Sequence, residues 1–431
     1  MSFYDRERET LDRAALLKLQ EDKLGLLMAE LPRNPFYRQK LAAAGVDPIS
    51  VRRPEQLPTL PLTTKTELLE SQRRHPPYGE LLTYPLSRYR YLHQTSGTSG
   101  SPLLWLDTEE DWGTWLRCWG QVFRGAGVGE TDVVFCAFSF GPYVAHWSAL
   151  AGARAIGALA LPGSGMTSLQ RLERILEHRV TVVVSTPTYA LHLAELADEN
   201  DLDLATSAVR ITIHAGEPGA SVPNVKRRIE EAWGARTFDH AGATEVGAWG
   251  YDCQADDEAI HLNELEFLFE VIDPDSGEEV GEGVRGELVI TTLGRTGMPV
   301  VRYRTGDLVV RTDGPCACGR NLSRIEGGIL GRADDMLIVR GVNVYPSAID
   351  NLIRSLPAIV EYEVEIRRHK ALDDLLVKVE TTPGWPFEDV EQALHEAFRS
   401  ELNIRVGIAK AEAGSLPRYE LKARRYRRIA E

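Results

Sequence analysis

The chain has 431 residues, enough for a large core and for more than one domain. Hydrophobic residues make up 43% and charged residues 26%, an ordinary balance for a globular protein, and a net charge of −14 excludes a general nucleic-acid binder, whose affinity rests on neutralising phosphates. No apolar run approaches the ~18 residues that cross a bilayer, the first residues are charged, and five cysteines, an odd count, argue against a disulfide framework; the expectation is a cytoplasmic protein with no membrane partner.

Leucines at 11, 16, 17, 19, 24, 26 and 27 fall largely on one face and predict a helix over 8–31. Pro32 and Pro35 end it, and a Pro/Thr-rich connection leads to Thr63 or Thr64, either of which suits the N-cap of a helix beginning at Lys65. Two β-prone runs, Tyr89 to Leu92 and Leu103 to Leu106, flank Thr95-Ser96-Gly97-Thr98-Ser99-Gly100 and predict a strand–loop–strand hairpin. Glycines let a backbone approach an anion, and N–H and hydroxyl groups supply the donors phosphate needs. Alone, such a loop reads more simply as a flexible turn; it lacks the Lys-Ser or Lys-Thr pair of a Walker loop.

Between about 112 and 238, helical and strand patterns alternate. Strands are expected at 133–138, 158–161, 180–185, 209–214 and 236–238, with helices at 112–126, 143–156, 169–178, 187–199 and 222–233. That order predicts βαβ units around a mainly parallel sheet, with ligands beyond the carboxyl ends of the strands. Ala215-Gly216-Glu217-Pro218 and the stretch Asp239 to Glu245 begin at two such ends. From about 262 the strand runs 266–272, 286–292, 299–303 and 307–311, split by Asp/Gly/Pro turns, predict a β-rich subdomain. The polar stretch around Asp334 marks a boundary. The fold class expected is α/β: an N-terminal domain (1–333) of βαβ layers plus a β-rich subdomain, and a small mobile α+β C-terminal domain (334–431).

Cys253, His261, Cys316 and Cys318 offer three thiols and an imidazole, the last two sulfurs on a Gly/Pro-flanked turn. Soft ligands in tetrahedral number suit structural Zn²⁺; unpaired cysteines in β-turns are the alternative.

The hydroxyl/glycine loop is followed by Ala243-Thr244-Glu245, Tyr303-Arg304-Thr305-Gly306-Asp307, Gly331-Arg332-Ala333-Asp334-Asp335 and, near the end, Leu416-Pro417-Arg418-Tyr419-Glu420-Leu421-Lys422. In this order they resemble the acyl-adenylate-forming ligases. Asn34-Pro35-Phe36-Tyr37-Arg38, Leu60-Pro61-Leu62-Thr63-Thr64-Lys65 and Val339-Arg340-Gly341-Val342-Asn343-Val344-Tyr345-Pro346 resemble the phenylacetate–CoA ligase branch in particular. The resemblance implies activation of a carboxylic acid by ATP to acyl-AMP, then attack by a thiol. The thiol is expected to be CoA, with a phosphopantetheinyl carrier protein, or a non-catalytic nucleotide-binding module, as rival readings.

It further implies that Thr95, Ser96, Gly97, Thr98, Ser99 and Gly100 cradle the β- and γ-phosphates. Glu245 would hold Mg²⁺ and Thr244 the α-phosphate. Asp307 would take the ribose hydroxyls and Arg332 the ribose or phosphate. Ala215, Gly216, Glu217 and Pro218 would line the adenine edge, with Asp239, His240, Ala241 and Gly242 in the same wall. Lys422 resembles the mobile catalytic lysine, Asp334 the hinge about which it swings, and Gly341 lies on a loop that would face the site in the second conformation. The family usually carries an aromatic residue four places before the Glu; here it is Ala241, and His240 adjoins it. Phe140, Gly141, Tyr143 and His146 resemble the segment lining an aryl pocket, with His214 and Ala241 as further candidates, His214 being equally a core histidine. An aromatic acid is therefore the expected substrate, and the chain a monomer or homodimer.

Overall fold

The computed structural model describes residues 2–95, 101–333, 335–339, 342–369, 372–419 and 422–429. Ser96, Gly97, Thr98, Ser99, Gly100, Asp334 and Gly341 lie outside the described residues. A hairpin of β1 (Tyr89–Gln94) and β2 (Leu104–Thr108) forms as the two β-prone runs predict, with His93 opposite Trp105.

β3 (Val133–Cys136), β4 (Leu159–Pro162), β5 (Val182–Ser185), β6 (Ile211–His214) and β7 (Arg236–Ala243) make the parallel half of the large sheet, in the order β4-β3-β5-β6-β7. Helices Val144–Ala155, Ser168–Glu177, Pro187–Glu199 and Pro223–Trp233 join them. All four residues of β5 and of β6 are buried, which is why these strands read as apolar or β-branched runs without alternation.

The β-rich part is a continuation of that sheet and not a separate layer. β7 turns back through Thr244–Val246 into β8 (Gly247–Cys253). The antiparallel half then adds β9 (Asp256–Leu262), β10 (Phe267–Ile272), β11 (Arg285–Thr292), β12 (Tyr303–Thr312) and β13 (Arg324–Glu326) in the spatial order β8-β9-β13-β12-β11-β10. β14 (Gly331–Arg332) pairs with β12, making twelve strands.

Two expected boundaries shift for identifiable reasons. The helix expected over 8–31 is a short turn, Arg6–Glu9, and a helix, Arg13–Glu30, because the Asp12 side chain caps the second by accepting from the Ala15 N–H. The strands expected at 299–303 and 307–311 are one strand, preceded by a break. Arg302 has φ +47°, a left-handed conformation held by its guanidinium donating to Glu270 (3.0 Å) and to the Leu60 carbonyl (2.7 Å). Gly306 (φ +78°) makes a bulge inside β12, where a turn between two strands is expected from the sequence.

The main core packs the hairpin and helix Glu109–Gly125 on one sheet face, around Trp105, Trp119, Trp249 and Phe267; Leu172, Tyr189, Leu193 and Trp233 fill the other face. The chain leaves the large sheet at Arg332 and enters a small one at Leu337. There β15 (Leu337–Val339), β16 (Val342–Val344), β17 (Ile359–His369), β18 (Leu372–Thr381), β19 (Gly407–Lys410) and β20 (Tyr426–Ile429) stand with helices Pro346–Arg354 and Phe387–Glu401. Their core is their own, built on Ile349, Val364, Val377, Leu394 and Phe398.

Candidate active site

The Thr244–Glu245 turn lies at the carboxyl end of β7, where the sheet changes from parallel to antiparallel. Glu245 is buried, with 4% of its surface exposed, and its Oε1 accepts from the Tyr303 hydroxyl at 2.7 Å. The Lys65 ammonium stands 3.4 Å from the same oxygen. Burial alone would push this carboxyl up; Lys65 and the Tyr303 hydroxyl outweigh it and hold the group below its ordinary value. Sequence reasoning assigned no role to Lys65 or Tyr303, although both stand inside quoted motifs.

Backbone stitching explains their arrival. Thr63 bridges to Tyr303, donating its N–H to the Arg302 carbonyl and accepting from the Arg304 N–H at 2.9 Å each. The helix then starts at Lys65 with a reciprocal Thr64–Glu67 cap. Arg295, also unassigned from sequence, is 1% exposed, donates to Asp107 of β2 at 2.9 Å and reaches the Thr244 carbonyl at 3.2 Å. It ties the hairpin to the Thr244–Glu245 turn.

Asp307 follows the Gly306 bulge. Its Oδ1 accepts from Arg332 at 3.3 Å, across the β12–β14 pairing that sets Asp307 opposite Arg332. The position demands glycine for its φ of +78°, and a side chain there would also press on that guanidinium, at 2.7 Å.

Lys422 arrives from the small domain. Its Cε would lie 3.5 Å from a Cβ placed on Gly216, which has φ +98°. The side chain is open to solvent on one side, yet enough protein surrounds its ammonium that desolvation lowers its pKa. Glu217 and Asp307 pull the other way, while Arg332 and Lys65 add to the lowering. Lys65, Glu245, Asp307, Arg332 and Lys422, spread over 358 positions of sequence, thus converge on one crevice at the strand ends.

Other expected residues take different places. Thr95 is bound into the base of the hairpin: its hydroxyl accepts from the Leu103 N–H and its N–H donates to the Leu103 carbonyl, both at 3.0 Å. Asp239 is buried with its Oδ1 accepting from the His240 N–H, and Gly242 is exposed at the strand end. His240 is a correction. Its Nδ1–H donates to the Gly250 carbonyl at 2.9 Å and its ring lies 4.5 Å from Trp119, so it turns into the core and does not stand in for the family's aromatic residue. Burial leaves it neutral, its pKa lowered to about 4. Ala241 is buried beside Gly250. His214 exposes no surface, and its Nδ1 meets the Ser185 hydroxyl at 3.2 Å; it is a core histidine and not an open pocket wall.

Phe138, Phe140, Tyr143, His146 and Trp147 do cluster after β3. His146 stacks on Phe138 at 4.3 Å and bonds the Ser139 carbonyl through Nδ1 at 3.0 Å; the Trp147 indole donates to the Gly141 carbonyl at 2.8 Å. The Gln94 N–H donates to the Pro142 carbonyl, fixing this segment to the hairpin. Phe140 and Gly141 also face an open groove of about 730 Å³ shared with Tyr91, Leu92 and Trp112, none of which belongs to the Lys65–Glu245–Asp307 cluster.

The ligand atoms of Cys253, His261, Cys316 and Cys318 all lie within 4.8 Å of one another, and all four residues are buried. Cys253 and Cys316 sulfurs are 3.8 Å apart and the Cys318 sulfur is 3.5 Å from His261 Nε2. A tetrahedral Zn²⁺ with bonds of roughly 2.3 Å to sulfur requires edges of roughly 3.5–3.8 Å, so the residues fit that ion. They are too far apart for disulfides, and all five cysteines are free.

Residues 63–297 match the sequence pattern of the AMP-binding enzymes, and 341–427 that of the AMP-binding enzyme C-terminal domain. The chain belongs to the AMP-binding enzyme family. Within it, the phenylacetate-coenzyme A ligase of Thermus thermophilus is 36% identical over 393 residues, covering 90% of this chain and 86% of that protein. The Escherichia coli phenylacetate-coenzyme A ligase is 31% identical, over 96% of this chain and 95% of its own. A crystal structure of 2-hydroxyisobutyryl-CoA ligase in the postadenylation state, with an acyl-AMP, superposes with a TM-score of 0.94 at 31% identity, covering 99% of this chain and 92% of that one. The same enzyme in the thioesterification state gives 0.75 over 98% and 91%. Coverage hardly differs, so the drop lies in how the parts are arranged: this chain shares the postadenylation arrangement. No helix among the described residues is long and apolar enough to cross a membrane.

Proposed function

We propose that the protein is an AMP-forming acid–thiol ligase that activates an aromatic carboxylic acid and transfers it to CoA. In the first step a carboxylate oxygen attacks the α-phosphorus of ATP and the bond to pyrophosphate breaks. In the second a CoA thiolate attacks the acyl carbonyl, AMP leaves, and a thioester remains. The observation that carries the reading is the convergence of Glu245, Asp307 and Arg332 from the large sheet with Lys422 from the small domain. A nucleotide needs that mixture: a carboxylate for ribose hydroxyls and cations around its phosphates.

In this reading residues 95–100 hold the terminal phosphates, Thr244 the α-phosphate, and Ala215, Gly216 and Pro218 the adenine edge. Glu245 would hold Mg²⁺, which neutralises phosphate charge, and its depressed pKa keeps it ionised for that ligand. Asp307 and Arg332 take the ribose. Lys422 stabilises charge passing between carboxylate and α-phosphate, and withdraws when the small domain turns about Asp334. Phe140, Gly141, Tyr143 and His146 offer flat apolar walls to an acyl ring. Zn²⁺ on Cys253, His261, Cys316 and Cys318 serves structure alone, since all four positions are protein ligands. Free thiols throughout suit a reducing cytoplasm.

Acid-dependent ATP–pyrophosphate exchange tests this, with phenylacetate, benzoate, indole-3-acetate and, as a small aliphatic contrast, 2-hydroxyisobutyrate. CoA and a phosphopantetheinylated carrier protein are then compared for AMP release. Exchange with an aryl acid and AMP release by CoA are expected; no exchange with any acid refutes the reading.

A further inference from the structure

Glu217 belongs by position to the segment beside the nucleotide base, but its side chain is engaged elsewhere. Oε1 accepts from the Thr188 N–H at 3.0 Å, and Oε2 accepts from the Ala423 N–H at 2.7 Å. Thr188 is the second residue of helix Pro187–Glu199. Pro187 has no N–H and Thr186 caps Tyr189, which leaves the Thr188 N–H as an orphan donor at a helix end that favours an anion. Ala423 is the residue after Lys422. One carboxylate therefore joins the large domain's backbone to the peptide unit beside the lysine.

Among the described residues, two further contacts of the terminal loop flank this junction. Arg418 donates to Glu195 at 3.1 Å and Arg425 to the Thr188 hydroxyl at 3.2 Å, both on the same helix. Those two contacts bring the terminal loop to the large domain, but each lies three or four residues from Lys422. Among the described residues, the Glu217 bond alone fixes a backbone atom next to it, while Gly216 lets the lysine stem pass against the main chain. The same acid is the foremost group opposing deprotonation of the ammonium.

We infer that Glu217 is a positioning residue for adenylation, a latch that holds the Lys422 loop in the adenylating arrangement. The inference rests on the ligase reading above and changes one assignment within it: the carboxylate serves the lysine, not the adenine. Because Thr188 and Ala423 sit on separate domains, the latch is made when the small domain docks this way and is absent from any arrangement that withdraws Lys422. It thus acts in one half-reaction only.

The test uses the full chain with Glu217→Ala and the isosteric Glu217→Gln. Acyl-AMP formation from ATP and phenylacetate, or the acid giving fastest exchange in the panel above, is followed in a single turnover. Thioester formation is measured separately, from synthetic acyl-AMP and CoA. We expect Glu217→Ala to slow adenylation about 10²-fold, the cost of a reacting group displaced by about an ångström. Glu217→Gln, which keeps one acceptor, falls between. The KM values for ATP and acid change less than about threefold, thioester formation stays within about twofold, and Glu217→Ala adds little loss to Lys422→Ala. Equal loss of both half-reactions, a raised KM for ATP with kcat kept, or unchanged adenylation would each overturn the latch. Absence of exchange by the unaltered enzyme would instead refute the ligase reading.

Discussion

Replacing Tyr303 by Phe isolates one interaction at the centre of the site. The ring packs in the main core and stays, while the hydroxyl 2.7 Å from Glu245 Oε1 is lost. Both residues are nearly enclosed, at 3% and 4% exposure, so water does not replace the donor. A hydrogen bond to a charged acceptor contributes about 1.5–3 kcal/mol, equivalent to one or two pKa units at about 1.4 kcal/mol each. The Lys65 charge, 3.4 Å from the same oxygen and the larger of the two supports, remains. The sign follows from the direction of the shift. Glu245 is held below 4.5, so its contribution to stability is full above that value and is lost as pH falls through the folded pKa. Tyr303→Phe raises the folded pKa and moves the loss upward. We expect the acid limb of ATP–pyrophosphate exchange to move up by about one pH unit or more, with little change near pH 8. Superimposable pH profiles for the variant and the unaltered enzyme would show that Tyr303 does not keep Glu245 ionised.

Lys422→Ala should slow adenylation by roughly 10²–10³, the loss typical of a removed electrostatic donor, while leaving thioester formation from supplied acyl-AMP intact; the two half-reactions measured separately decide it. About one zinc per chain should be found by elemental analysis, and Cys316→Ser or chelation should remove it. Removal should also expose the N-terminal segment to protease, because Arg320, next to the cysteine turn, donates to Glu9 at 2.7 Å and lies 4.5 Å over the Phe3 ring; unchanged protection after metal loss would count against that coupling. In the small domain, burial would raise the Glu361 carboxyl, but Arg354 and Arg425 hold it down from 4.5 to about 2, a difference of about 3 kcal/mol. That stability is present above pH 4.5 and fades as pH falls toward 2. Glu361→Gln should therefore cost about 3 kcal/mol in denaturant unfolding at pH 7 and much less at pH 3. An equal cost at both pH values would refute it.

The parallel half of the sheet was legible because its strands are apolar runs punctuated by amphipathic helices, and burial on both faces leaves that imprint. The family likeness was legible because its motifs are short and local. What escaped were features decided by distant partners. Nothing near Arg302 announces a left-handed residue, since Glu270 and Leu60 impose it from elsewhere. Nothing near Arg295 announces a brace, because Asp107 lies 188 positions away. Lys65 was visible as a motif letter, but its task depends on the Thr63–Tyr303 bridge. His240 reads as a ligand residue by place in the motif, yet strand alternation and Trp119 send its ring inward.

The short ladder between β14 and β12 has a mechanical consequence. Ala333 donates its N–H to the Gly306 carbonyl at 2.7 Å, one residue from Asp307, so an anchored point on the way to the small domain sits beside the carboxylate proposed to hold the ribose. An axle placed there sweeps distant atoms through wide arcs and barely moves those beside it. In the proposed ligase Lys422 would travel far while the groups around the sugar keep their stations, and one nucleotide would stay seated as the tools above it are exchanged.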